Sequence, residues 1–177
     1  WVASWALFVQ KPSDLGYSDE GYTLPDLTVT WHRIAADHTK AWELADNKGN
    51  VPLFKDSAAS IQQAIREKRD SLSDRVQKAA EIVAADGPTK HWLIWHHLED
   101  ERREICRAIP DAVEVYGSQE LEQREQRIVD FSDGKYRILA TKPEIAGSGC
   151  NFQEHCYANI FVGVRYQFEE FIQAIHR

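Results

Sequence analysis

From residue 88 onward, four short apolar runs alternate with segments of helical periodicity, and that alternation limits what the chain can fold into. The runs are 91–95 (HWLIW), 112–115 (AVEV), 136–140 (YRILA) and 158–162 (ANIFV). Between them lie 98–109, with Leu98, Ile105, Cys106 and Ile109 on one helical face, and 120–131, with Leu121, Ile128, Val129 and Phe131. A last helix is expected over 167–176, where Phe168, Phe171, Ile172 and Ile175 recur at i, i+3, i+4 and i+7. Strands that are apolar throughout are buried on both faces, and strands joined through helices run parallel. The expected fold class is α/β: a parallel sheet with helices on both faces, joined by right-handed crossovers.

The residues before this alternation read differently. Residues 1–25 have an apolar start followed by a loop-like run rich in Gly, Ser, Asp and Pro. Alternation of Leu27, Val29 and Trp31 predicts a half-buried strand over 26–34. A short helix around 38–47 is expected to end at the Asn47-Lys48-Gly49-Asn50 turn. Ile61, Ile65, Leu72, Val76, Ala79 and Val83 predict helix over 57–85, broken near 71–74 with Ser73 as N-cap. Two regions follow: a less regular segment, 1–70, and an α/β domain, 71–177.

Composition bounds the function. Six Trp, six Tyr and seven Phe among 177 residues mark a folded chain. The net charge of −7 disfavours bulk electrostatic binding of nucleic acid but not a local phosphate-binding edge. With no apolar stretch of about 18 residues and no basic-then-apolar leader, no membrane partner is expected and the compartment is read as cytoplasmic. Cys106, Cys150 and Cys156 fit no disulfide framework or CxxC pattern; Cys150, His155, Cys156 and the His96-His97 pair are read as bystanders, with no metal site. The chain has no Met and begins at Trp1, which is read as the mark of a piece of a larger protein.

In open α/β sheets ligands sit outside the carboxyl ends of the strands. His96 and His97 follow the first run; Tyr116, Gly117, Ser118 and Gln119 follow the second; Thr141 and Lys142 follow the third; Gly163, Arg165, Tyr166 and Gln167 follow the fourth. Hydroxyls, amides and cations on one edge suit a phosphodiester or a nucleotide phosphate. The stretch 136–153 (YRILATKPEIAGSGCNFQ) concentrates this chemistry, since Gly147 and Gly149 allow backbone amides to approach phosphate closely. No Ser-His-Asp order, paired catalytic carboxylates or HExxH pattern stands out.

Four segments in order, HWLIWHH, VYGSQELEQREQRIVDFSDG, YRILATKPEIAGSGCNFQ and YQFEEFIQAIHR, resemble the second RecA-like domain of superfamily 2 helicases, most nearly the Swi/Snf-type DNA translocase branch. They stand where that family has its motif IV strand, a Gly-Ser turn before an Arg-bearing helix, motif V and the opening of motif VI. The resemblance covers about 71–177, and 1–34 resembles the segment leaving the first motor domain, with 1–70 as its end, the hinge and a helical insertion. Motif V here is about two residues longer than the family's usual spacing, and a second motif VI arginine is absent.

The resemblance implies a RecA-like parallel sheet and the following roles. Ser118, Thr141 and Lys142 would contact the nucleic-acid backbone; Gly149, Asn151 and Gln173 would face nucleotide at the interdomain cleft; Arg177 would be the arginine finger reaching the γ-phosphate. ATP and Mg²⁺ would be bound mainly by a first RecA-like lobe of the same polypeptide, since this sequence has neither a GxxxxGK[ST] loop nor an Asp-Glu Walker B pair. The expected partners are DNA, through sequence-independent backbone contacts, and that first lobe. The expected function is one lobe of an ATP-dependent DNA helicase or translocase, inactive as an ATPase alone. The alternative is a non-catalytic α/β interaction module that keeps a helicase-lobe shape.

Overall fold

The computed structural model describes residues 9, 11–21, 26–34, 68–147, 149–165 and 167–175. The chain divides into two compact units, 1–33 and 34–177, and the expected 71–177 domain falls within the second. In the first unit Pro12–Leu15 forms one turn of 3₁₀ helix. Asp19 pins this turn by accepting the Ser13 amide at 2.8 Å. Residues 26–34 carry no strand, correcting the expectation from their alternation: Leu27 and Val29 are exposed, and Trp31 is 82% exposed. Alternation supplies an apolar face, but a strand also requires a neighbour for its main-chain groups, and no described ladder reaches this run. The helix expected over 38–47 lies outside the described residues, as do residues 57–67 of the helix expected over 57–85, whose residues 68–70 are helical.

In the second unit the elements follow the predicted alternation. They are α1 (Leu72–Ala85), β1 (Trp92–Trp95), α2 (Glu99–Ala108), β2 (Ala112–Glu114), α3 (Leu121–Ser132), β3 (Ile138–Thr141), α4 (Pro143–Ala146), β4 (Asn159–Phe161) and α5 (Phe168–Ile175). The N-cap of α1 is Ser71 rather than Ser73, and the Ser71 hydroxyl accepts Arg75 Nε at 3.2 Å. α4 was not foreseen. Pro143 starts it with a pre-set φ, and Gly147 closes it, its amide donating to Pro143 O at 2.7 Å.

All strand pairs are parallel, in the order β2-β3-β1-β4. Because successive strand residues point to opposite faces, β1 supplies two cores. Trp92 and Ile94 pack with Val76, Ala79 and Val83 of α1 and Ile105 of α2. Leu93 and Trp95 pack on the other side with Phe131 of α3, Ala146 of α4, Phe152 and Ala174 of α5. The fold of the described residues within 68–175 is thus the expected class, an α/β parallel sheet of RecA-like kind with helices on both faces. The step from β1 to β2 crosses the first face, and the two later steps move back across the sheet over the second. All three crossovers therefore share one hand, the regularity imposed by strand twist.

That path also fixes where a ligand can sit. The chain leaves β1 toward the first face, whereas it leaves both neighbours, β3 and β4, toward the second. Connections diverging from adjacent strands open a crevice at their carboxyl ends.

Candidate functional site at the carboxyl edge of the sheet

The crevice is present, as a shallow recess open to solvent. His96 and His97 after β1, Lys142 after β3, and Phe161, Gly163 and Arg165 at the end of β4 line it, with Glu170 and Phe171 contributed by α5. Its β1 side is cross-linked by hydrogen bonds to a buried carboxylate. Glu101 of α2 is 0% exposed, yet both of its oxygens are satisfied. Oε2 accepts the His97 amide at 2.7 Å and the Leu98 amide at 2.9 Å, and Oε1 accepts Arg75 Nη1 at 2.7 Å. Arg75 also donates to the carbonyls of Val162 and Lys68, so one buried ion pair ties α1, α2, β4 and the loop after β1 together. Burial raises the Glu101 pKa, but the Leu98 and His97 amides and Arg75 outweigh it and hold the carboxyl below its ordinary range. Gly163 belongs to the same packing: a Cβ there would lie 2.2 Å from Glu101 Oε2.

His96 forms the floor. It is 0% exposed, and neither Nδ1 nor Nε2 has a partner among the described residues; His97 Nδ1 is likewise buried and unpartnered. Burial, together with the nearby Lys142 ammonium, pushes the His96 pKa down to about 4, so the ring is neutral at pH 7. On the rim Lys142 Nζ lies 3.2 Å from Glu99 Oε1, and Arg165 Nη1 lies 2.8 Å from Glu144 Oε2. Phe161 and Phe171, with ring centroids 5.0 Å apart, wall the α5 side. Neutral hydrogen-bonding rings below paired cations can hold an anionic oxygen, with an apolar wall excluding water beside it.

Of the sequence-predicted residues, Lys142 lines the crevice. Thr141 ends β3 at the same edge but is 0% exposed, and its hydroxyl donates to Val115 O at 3.0 Å, bolting β3 to the segment after β2. Ser118 is exposed in the turn after β2, a loop shaped by Gln119, which accepts the Tyr116 amide at 3.0 Å and donates to Glu114 O at 3.2 Å. Gly149 and Asn151 are exposed and do not line the crevice. Gly149 has φ 75°, a left-handed conformation that glycine adopts without strain. The Asn151 carbonyl accepts Ser132 Oγ at 2.5 Å, at the end of α3 remote from the carboxyl edge. Gln173 is exposed on α5, two residues beyond Phe171. Arg177 lies outside the described residues.

Sequence reading passed over the acidic residues of the site: Glu99, Glu101, Glu144 and Glu170. A signal existed for Glu101, three residues after Leu98 at the helix entry, where a carboxylate reaches back to free amides. Among the described residues no group of three or more His, Cys, Asp or Glu could hold a metal, and no helix is long and apolar enough to cross a membrane. Burial raises the thiol pKa values of Cys106 and Cys156 to about 11, with Glu114 adding to the rise at Cys106. No protein-family model matches the chain, and no curated protein matches it.

Proposed function

We propose that this chain is the second motor lobe of an ATP-dependent DNA helicase or translocase, working in the cytoplasm and holding the phosphodiester backbone of DNA at the carboxyl edge of its sheet. The observation that carries the reading is the convergence of strand ends: the segments resembling motifs IV and V leave adjacent parallel strands and meet at one crevice, with His96 and Lys142 at its lining. Contacts there would be made by amides, an imidazole and cations, which position a backbone without reading bases.

ATP and its Mg²⁺ do not fit this chain alone, because the sequence offers no phosphate-binding loop and no Walker B carboxylates. In this reading nucleotide belongs to a first lobe, and this chain contributes Arg177 to it. A guanidinium is permanently charged and planar, suited to stabilise charge on a transferred phosphoryl group. A steady-state ATPase assay tests the proposal, run with and without DNA on this chain and on the full-length gene product. The expected result is no turnover by the chain alone and DNA-stimulated turnover by the full-length protein. Robust hydrolysis by the chain alone, or a full-length product without DNA-stimulated ATPase, overturns it.

A further inference from the structure

Both rim cations of the crevice are already occupied by carboxylates of the same chain, Lys142 by Glu99 at 3.2 Å and Arg165 by Glu144 at 2.8 Å. Below them the fully buried His96 ring offers one N–H and one lone pair with no partner among the described residues. A buried polar group without a partner is rare and unfavourable, and one that lines an open recess points to a ligand that completes it. Carboxylate and phosphate oxygens are taken by the same cations in the same geometry. We propose that the crevice is a phosphodiester site closed by its own carboxylates: Glu99 and Glu144 occupy Lys142 and Arg165 until a nucleic-acid backbone displaces them and accepts a hydrogen bond from His96.

Nucleic acid as the source of the phosphate rests on the motor-lobe reading; the carboxylate-closed anion site rests on the geometry alone. The exchange is feasible because both pairs are partly exposed. Glu99 and Glu144 are about half exposed, at 49% and 45%, and ion pairs at such positions are weak. It also suits a chain of net charge −7, in which masked cations would hold a polyanion loosely.

The test is to titrate the 177-residue chain and its E99Q, E144Q and doubly substituted variants with a short single-stranded DNA oligonucleotide and, separately, with inorganic pyrophosphate, at low and moderate salt. Each substitution is expected to tighten oligonucleotide binding about two- to fivefold and the pair about tenfold, the gain from freeing partly exposed cations. The salt dependence should steepen in the double variant, because the freed cations then release solution counterions instead of internal carboxylates. His96→Ala should weaken binding and His96→Asn, which keeps an N–H donor, should restore part of it; far-UV circular dichroism checks that each variant folds. Glu99 and Glu144 are surface positions, so their variants decide the matter even if those at His96 fail to fold. Unchanged or weaker binding in the double variant overturns the closed-site proposal while leaving the DNA reading standing. Tightened pyrophosphate binding without any oligonucleotide binding supports the anion site and removes the DNA reading. Absence of binding to either probe in the double variant overturns both.

Discussion

At the scale of single residues, His96 and Glu101 show how neighbouring buried titratable groups differ by their partners. Glu101 has three donors on its two oxygens and stays charged; His96 has no partner among the described residues and stays neutral. Their pH dependence follows. The folded-state pKa of His96 is about 4 against an ordinary 6.5, so between those values the unfolded chain binds the extra proton. Stability is full above pH 6.5 and falls as pH drops toward 4, by on the order of 3 kcal/mol. The carboxyl of Glu101 is depressed below its ordinary 4.5, so its contribution is present above 4.5 and is lost as pH falls further. Urea denaturation across this range should show a first decline that His96→Gln reduces, burial of His97 accounting for what remains, and a second that it leaves; an unchanged first decline in that variant would sink the assignment.

At the scale of elements, the unexpected α4 shapes the exit from β3. One turn of helix after Thr141 aims Lys142 at the crevice as the N-cap residue and carries the chain to the second face. The turn closes only because position 147 has no side chain: a Cβ there would lie 2.3 Å from Pro143 O, a main-chain atom that cannot swing aside. Gly147→Ala should cost about 1–3 kcal/mol in chemical denaturation, as overpacking does. It should also weaken any anion binding at Lys142. Substitution without measurable cost would show that α4 can open freely, and the rim would then not be preformed.

At the scale of the whole molecule, the motor reading makes this chain half of a catalytic unit. In a full-length protein carrying both lobes, Arg177→Lys should lower DNA-stimulated kcat by roughly 10³-fold or more, because a compact ammonium does not reproduce the guanidinium fork. Nucleotide binding should be largely retained, since it rests on the other lobe. Equal loss of binding and turnover would instead make Arg177 a structural residue.

The amino-acid order alone determined the architecture of 88–175. Uniform apolar runs such as Trp92-Leu93-Ile94-Trp95 can be satisfied only between two helical layers, and helical spacers force those runs parallel, so four strands and their covering helices were legible from periodicity. It also located the edge where the crevice opens, because residues after a parallel strand must emerge at its carboxyl end. The same local logic failed for 26–34, where alternation exists without a pairing neighbour, and for 143–146, where one proline-initiated turn is too short to show a period. Only the tertiary structure decided which edge residues share a crevice. Strand order put β1 between β3 and β4, which joined His96 to Lys142 and Arg165 and left Asn151 beside Ser132. Burial and pairing are settled by residues distant in sequence: Val115 takes up the Thr141 hydroxyl, Arg75 donates to the buried Glu101 carboxylate, and His96 has two nitrogens without a partner among the described residues.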